Sequence, residues 1–108
     1  MALRVLLVDD ETAILNSLQI LLKGEGFKVA VAQSGREAVE RFAEFEPDVV
    51  LTDIRMPGMD GLELLAALRQ QDPEVPVILM TAQASLQSAV QAVNQGAFYY
   101  LQKPFSNA

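Results

Sequence analysis

Residues 48–68 read DVVLTDIRMPGMDGLELLAAL, and the three parts of this stretch decide the fold. Val49-Val50-Leu51-Thr52 is an apolar run of strand length, and it ends at Asp53. Ile54-Arg55-Met56-Pro57-Gly58-Met59 is a loop. Asp60-Gly61-Leu62-Glu63 is a capping-box pattern, and the helix it opens carries Leu62, Leu65 and Leu68 on its inner stripe. Asp72-Pro73 ends that helix. The unit is strand, loop, helix, with an acid at the end of the strand.

The same unit recurs on both sides. Toward the N-terminus, Leu3 to Val8 is apolar except for Arg4 and stops at Asp9-Asp10. From Ala13 the period becomes helical, with Ile14, Leu15, Leu18, Leu21 and Leu22 in register, and Gly24 closes the segment. Phe27 to Ala32 is a second strand. Ser34-Gly35-Arg36-Glu37 is another capping-box pattern, heading a helix with Ala38, Val39, Phe42 and Ala43 inward, and Pro47 stops it. Toward the C-terminus, Val77 to Met80 is a strand ending at Thr81. Ala84 to Gln95 is a helix with Leu86, Ala89, Val90 and Val93 on one face, and Gly96 suits its C-terminal cap. Its glutamines, Gln83, Gln87, Gln91 and Gln95, form a solvated face. Phe98 to Leu101 is a fifth strand leading into Lys103-Pro104-Phe105. Four strand–helix units followed by a strand, with near-continuous apolar strands, predict an α/β fold with a parallel sheet covered on both faces.

Composition narrows the chemistry. At 108 residues the chain is expected to be one domain, with a radius of gyration of roughly 13 Å. It is 51% apolar and 20% charged, which excludes global disorder. Cysteine and histidine are both absent, so disulfides, thiolate metal sites and Ser-His-Asp catalysis are excluded. Carboxylates without nitrogen or sulfur ligands favour hard cations such as magnesium or calcium. A net charge of −6 disfavours nucleic-acid binding by this domain. No apolar run is long enough to span a membrane, and the first residues lack a secretory signal, so the expected location is cytoplasmic.

In an open parallel sheet, ligands sit beyond the carboxyl ends of the strands. Asp9 and Asp10 follow the first strand, Asp53 ends the third, Thr81 ends the fourth, and Lys103 closely follows the fifth. Singly, each has an ordinary explanation: a helix cap, a turn residue, a solvated charge. Jointly they place three carboxylates, a hydroxyl and an ammonium on one rim. Clustered carboxylates repel one another unless a cation intervenes, and magnesium keeps coordination positions open for phosphate oxygens. Lys103 and Thr81 could then stabilise a transferring phosphoryl group, and Asp53, on the central strand, is the best placed nucleophile.

Four motifs carry a resemblance to a known family. They are Val5-Leu6-Leu7-Val8-Asp9-Asp10-Glu11, the run from Asp48 to Gly61, Pro76-Val77-Ile78-Leu79-Met80-Thr81-Ala82, and Tyr100-Leu101-Gln102-Lys103-Pro104-Phe105. In this order and spacing the chain resembles the receiver domain of two-component response regulators, over residues 1–108 as a single domain. The run Gly96 to Leu101 further resembles receivers of the nitrogen-regulator type. The resemblance implies a flavodoxin-like five-stranded sheet of order 2-1-3-4-5. It implies a phosphoryl group accepted by Asp53 from a sensor histidine kinase in a magnesium-dependent reaction. Asp10, Asp53 and the backbone carbonyl of Arg55 would ligate the metal, and Asp9 would act through a water. Lys103 would contact the phosphoryl group, across a cis Lys103-Pro104 bond. Thr81 and Tyr100 would be the switch pair, controlling an output domain expected to be a transcription regulator. The domain is regulatory rather than an enzyme acting on outside substrates, and a homodimer through the helix-four/strand-five face is expected.

Rival readings are a magnesium phosphatase of the haloacid-dehalogenase type, a flavodoxin-type FMN binder, and a receiver-like interaction module that is never phosphorylated. The first should show Asp-x-Asp where this chain has Asp9-Asp10-Glu11. The second needs a glycine- and hydroxyl-rich phosphate loop after the first strand. The third has no need of the full acid, threonine and lysine set. Receivers carry a fifth helix after Lys-Pro-Phe, whereas here only Ser106-Asn107-Ala108 follow. The expected consequence is an uncovered apolar strip beside the first helix, leading to self-association, a borrowed segment, or lowered stability.

Overall fold

Every apolar run of the sequence becomes a strand, and every helical period a helix. A computed structural model describes residues 2–82 and 85–102. The elements are β1 (Arg4–Val8), α1 (Thr12–Gly24), β2 (Lys28–Ala32), α2 (Gly35–Phe45), β3 (Val49–Asp53), α3 (Gly61–Gln71), β4 (Val77–Thr81), α4 (Leu86–Asn94) and β5 (Tyr99–Gln102). The strands pair in parallel in the order β2-β1-β3-β4-β5. The Cα radius of gyration is 12.8 Å, matching the length-based expectation.

Strand periodicity sends alternate residues to opposite faces. On one face Leu6, Val8, Val50, Val77 and Leu79 meet Ala38 and Phe42 of α2, Leu64, Leu65 and Leu68 of α3, and Ala92 of α4. On the other, Val5 and Leu7 meet Leu15 of α1, which among the described residues is the only helix on that side. A leucine fully removed from water contributes about 1.5–3 kcal/mol, so the first face carries most of the apolar stabilisation.

The second face thins toward β5. The row Leu7, Leu51, Ile78, Tyr99 runs across four strands in register. It begins fully buried at Leu7 and ends 59% exposed at Tyr99, with Leu101 and the α1 residues Ile20 and Leu21 also open to solvent. Among the described residues, these side chains leave apolar surface open to solvent on this face.

Some inner stripes are oriented otherwise than the spacing suggests. Leu21 faces solvent, and α3 buries Leu64 while leaving Leu62 half-buried. On α4, Val90 and Val93 point outward, and the small Ala92 packs inward. Periodicity defines an apolar stripe but cannot say which side of it meets the sheet. The outward glutamine face of α4 is as expected at Gln87, Gln91 and Gln95.

The helix starts follow their capping residues. Asp60 and Glu63 form the full reciprocal box at α3. At α2, Ser34 accepts from the Glu37 amide, but the glutamate turns instead to Arg41, 3.5 Å away, so half of the box forms. Gly96 takes the left-handed conformation after α4, as its capping role requires.

Candidate functional site

Parallel pairing brings the carboxyl ends of β1 and β3 level, with Val8 opposite Thr52. Asp9 continues the ladder, its amide donating to the Ala32 carbonyl at 3.1 Å. Its side chain is fully buried and accepts from the Glu11 amide at 2.9 Å. Asp10, next in sequence, turns outward and is exposed. Asp53 closes β3 at 5% exposure, and the Arg55 amide donates to it at 3.4 Å. One carboxylate oxygen from each of Asp9, Asp10 and Asp53 lies within 4.8 Å of the other two.

That donor set fits a hard divalent cation. Three carboxylate oxygens gathered this closely are hard donors of the kind that such a cation takes. Two of the three acids are withdrawn from solvent, where their mutual repulsion is weakly screened and a cation is correspondingly favoured.

The loop after Asp53 is pinned at both ends. Ile54 and Met56 are buried in the core, and the Ile54 amide donates to the Met80 carbonyl at 2.9 Å. Gly58 turns the chain at φ +80°, and Asp60 caps α3. Gly61 seats the helix directly on the end of β3. A Cβ there would collide with the Asp53 carbonyl oxygen and lie 2.8 Å from the Ile54 Cα, so no other residue fits without displacing Asp53. Arg55 is exposed on this loop, where its side chain borders an open cleft.

Across the cleft stand β4, α4 and β5. Thr81 is 1% exposed at the end of β4, which pairs with β3 on one side and β5 on the other. Tyr100 lies in the row Val8, Thr52, Leu79, Tyr100 and packs, half-buried, against the larger core. Its hydroxyl reaches the start of α4, 2.5 Å from Ser88 Oγ and 3.3 Å from the Ser85 amide, which donates to it. Lys103, with its bond to Pro104, and Gln83 lie outside the described residues.

The structure thus brings Asp9, Asp10, Asp53, Arg55 and Thr81 to one rim, with Tyr100 one strand away. Gly61, Ser85, Ser88 and Arg69 were not singled out from the sequence. A glycine following the acidic cap of α3, and two serines three apart at the start of α4, were the available signals.

A doubly wound sheet of this order, with an acidic pocket at the ends of β1 and β3, defines a class. Residues 5–108 match the response regulator receiver domain, and the chain belongs to that family. Among curated relatives, the DNA-binding transcriptional regulator NtrC of Escherichia coli is 50% identical over 101 residues, covering 94% of this chain and 22% of NtrC. The chain therefore spans about a fifth of the length of that relative. Among solved structures, the chemotaxis protein CheY4 of Vibrio cholerae superposes with a TM-score of 0.94 at 31% identity, covering 98% of this chain and 90% of that one. The beryllofluoride-activated NtrC4 receiver domain dimer gives 0.89 at 38% identity, covering 95% and 85%.

Proposed function

We propose that residues 1–108 form a single receiver domain that accepts a phosphoryl group on Asp53 from a sensor histidine kinase. The observation that carries the reading is the cluster of Asp9, Asp10 and Asp53 within 4.8 Å, with Asp53 ending the central strand. In the reaction a carboxylate oxygen of Asp53 attacks phosphorus. A P–O bond forms, the P–N bond of the donor phosphohistidine breaks, and the imidazole leaves with the electron pair.

Asp10, Asp53 and the Arg55 carbonyl are the groups that would hold magnesium, with Asp9 acting through a water. When bound, the ion supplies positive charge against the developing phosphoryl charge. Burial of Asp53 limits water at the acceptor oxygen. Thr81 offers a hydroxyl toward the same rim, and Lys103 an ammonium.

The phosphoryl group gives Thr81 a new acceptor, and Tyr100 and α4 report the change to an output domain that is a transcription regulator. The domain acts on itself and not on outside substrates. Val90, Val93 and Phe98, all exposed, favour a homodimer through the α4–β5 face, a reading consistent with the NtrC4 receiver dimer. No helix of the described residues is long and apolar enough to cross a membrane, and we place the domain in the cytoplasm.

The deciding experiment is incubation with acetyl phosphate and magnesium, followed by intact mass. The gain of one phosphoryl group, absent in Asp53→Ala and absent with chelator, supports the reading. No gain indicates the unphosphorylated interaction module, and turnover of a free phosphate ester indicates the phosphatase.

A further inference from the structure

Two glycines leave room for another part of the chain. Gly61 does so for the Asp53 carbonyl. Gly35, the buried first residue of α2, does so for the loop after β3. A Cβ built on Gly35 would lie 2.8 Å from both Cβ and Cγ of Met59 and 2.9 Å from its Sδ. Carbon atoms in contact are about 3.5–4.0 Å apart, so this notch exists only because residue 35 has no side chain. The backbone of Gly35 is helical, a conformation in which alanine is favoured over glycine. Clearance for Met59, and not backbone freedom, is what glycine supplies here.

The notch joins two arms of the acidic cluster. β2 ends at Ala32, whose carbonyl takes the Asp9 amide at 3.1 Å, and Ser34 then caps α2 by accepting from the Glu37 amide at 3.1 Å. The start of α2 is therefore fixed relative to Asp9. On the other arm, the loop after Asp53 is closed at its ends. Ile54 donates to the Met80 carbonyl at 2.9 Å and accepts from the Gly61 amide at 2.7 Å. Between those ends the loop is anchored by its methionines. Met56 is buried, and Met59 packs, half-buried, against the larger core. Arg55 lies between Asp53 and these anchors, so the direction of its carbonyl follows the path they impose.

We infer that Met59 is a pin seated in the Gly35 notch, through which α2 sets the course of the loop after Asp53 and with it the magnesium affinity of the site. Helix α2 contributes no side chain to the cluster of Asp9, Asp10 and Asp53. Met59 is thus a positioning residue, acting through the Arg55 carbonyl. This rests on the reading that Asp10, Asp53 and that carbonyl hold the metal, and adds what orients the carbonyl. Asp53 is held separately, by the pairing of β3 with β4 and by its contact with Gly61. Disturbing the pin therefore weakens the metal without disabling the acceptor.

The test is a magnesium titration of the whole, unphosphorylated chain, read from the NMR amide shifts of Asp10, Asp53 and Arg55. It is followed by the magnesium dependence of phosphoryl uptake from acetyl phosphate, read by intact mass. Gly35→Ala presses a methyl against the Met59 Cβ, which cannot rotate away, so the loop must shift. Met59→Ala empties the notch. Each should weaken magnesium by about tenfold, as losing a group that orients a ligand does, while uptake at saturating magnesium is unchanged. Met59→Leu keeps carbon in the notch and should hold the wild-type affinity. Phe42→Leu, two turns further along α2, removes buried contact at the far end of the helix and should lower the melting temperature with affinity unchanged. If Gly35→Ala does not fold, the comparison of Met59→Ala with Met59→Leu decides alone.

Wild-type affinity in Met59→Ala, or in a folded Gly35→Ala, overturns the inference. So does a loss in Phe42→Leu equal to theirs, or a loss in Met59→Leu equal to that in Met59→Ala. Uptake that stays low at saturating magnesium shows that Asp53 itself has moved, and overturns it too. A wild-type chain whose Asp10 and Asp53 amides ignore magnesium contradicts the reading of the acidic cluster as the metal site, and the inference falls with it.

Discussion

The β1-β3 centre of the sheet and its α4-β5 edge are built to different degrees of closure. In the first, Leu6, Leu7, Val8 and Val50 are wholly buried, Asp9 is buried with them, and Gly61 locks α3 onto Asp53. In the second, Val93 is 71% and Phe98 65% exposed, α4 hangs over a cleft, and the sheet row that starts at Leu7 ends in the exposed Tyr99. The carboxylates sit in the closed half, Thr81 at the end of the buried β4 beside it, and Tyr100 and α4 in the open half. Charge stabilisation depends on groups fixed before the reaction, whereas a reporter must have two arrangements close in free energy. The sheet joins them, since β3 pairs with both β1 and β4.

The largest expected contrast is between Asp10→Ala and Thr81→Ala. Loss of a ligand in the closed half should cut magnesium-dependent phosphoryl uptake by about tenfold or more. Thr81→Ala should still take up the group, measured by intact mass, yet lose the accompanying change in α4 amide exchange. If Asp10→Ala is phosphorylated normally, or if Thr81→Ala shows the full α4 response, the division of labour is wrong.

Stability should divide the same way. Leu6→Ala leaves a cavity in the closed half and should cost about 2–5 kcal/mol in denaturant melts. Val93→Ala removes an exposed side chain and should stay within about 0.5 kcal/mol. Comparable losses would show that α4 is packed as firmly as β1.

Gly61→Ala sharpens the point within the site itself. The added methyl has no space beside the Asp53 carbonyl, so strain of about 1–3 kcal/mol is expected, together with slower phosphoryl uptake. A variant with unchanged melting and unchanged uptake would mean that the end of β3 can yield.

The smallest effect concerns the bridge between the halves. Arg55, two residues past Asp53, borders the cleft and is long enough to shield phosphoryl oxygens from water. Arg55→Ala should hydrolyse about threefold faster, less than 1 kcal/mol in the barrier. A rate that is equal or slower removes that role.

Much of this was legible before any coordinates. Five apolar runs of strand length, each ending in or near a polar group, imply a parallel sheet with its chemistry on one rim, because only parallel strands bring all their carboxyl ends to the same edge. Asp9, Asp10, Asp53 and Thr81 could be named because a carboxylate or hydroxyl at the end of a buried strand is a conspicuous change of polarity. Helix starts were legible where a cap makes a local hydrogen bond, as at Asp60 and Ser34.

What the tertiary structure alone decided depends on contacts between elements distant in sequence. That Val90 and Val93 face solvent while Ala92 faces the core follows from how close α4 approaches the sheet, and the period within α4 is silent on that. The Ser88–Tyr100 pair joins residues 12 apart and the Arg69–Gly96 tie residues 27 apart. Neither serine nor arginine carries a local signal of its partner. The need for glycine at position 61 arises from the end of a neighbouring strand, not from the turn it sits in. Local chemistry therefore determined the elements and the polar groups at their ends. Packing determined which of those groups are held fast and which are left able to move, because burial and clearance are properties of the assembled layers.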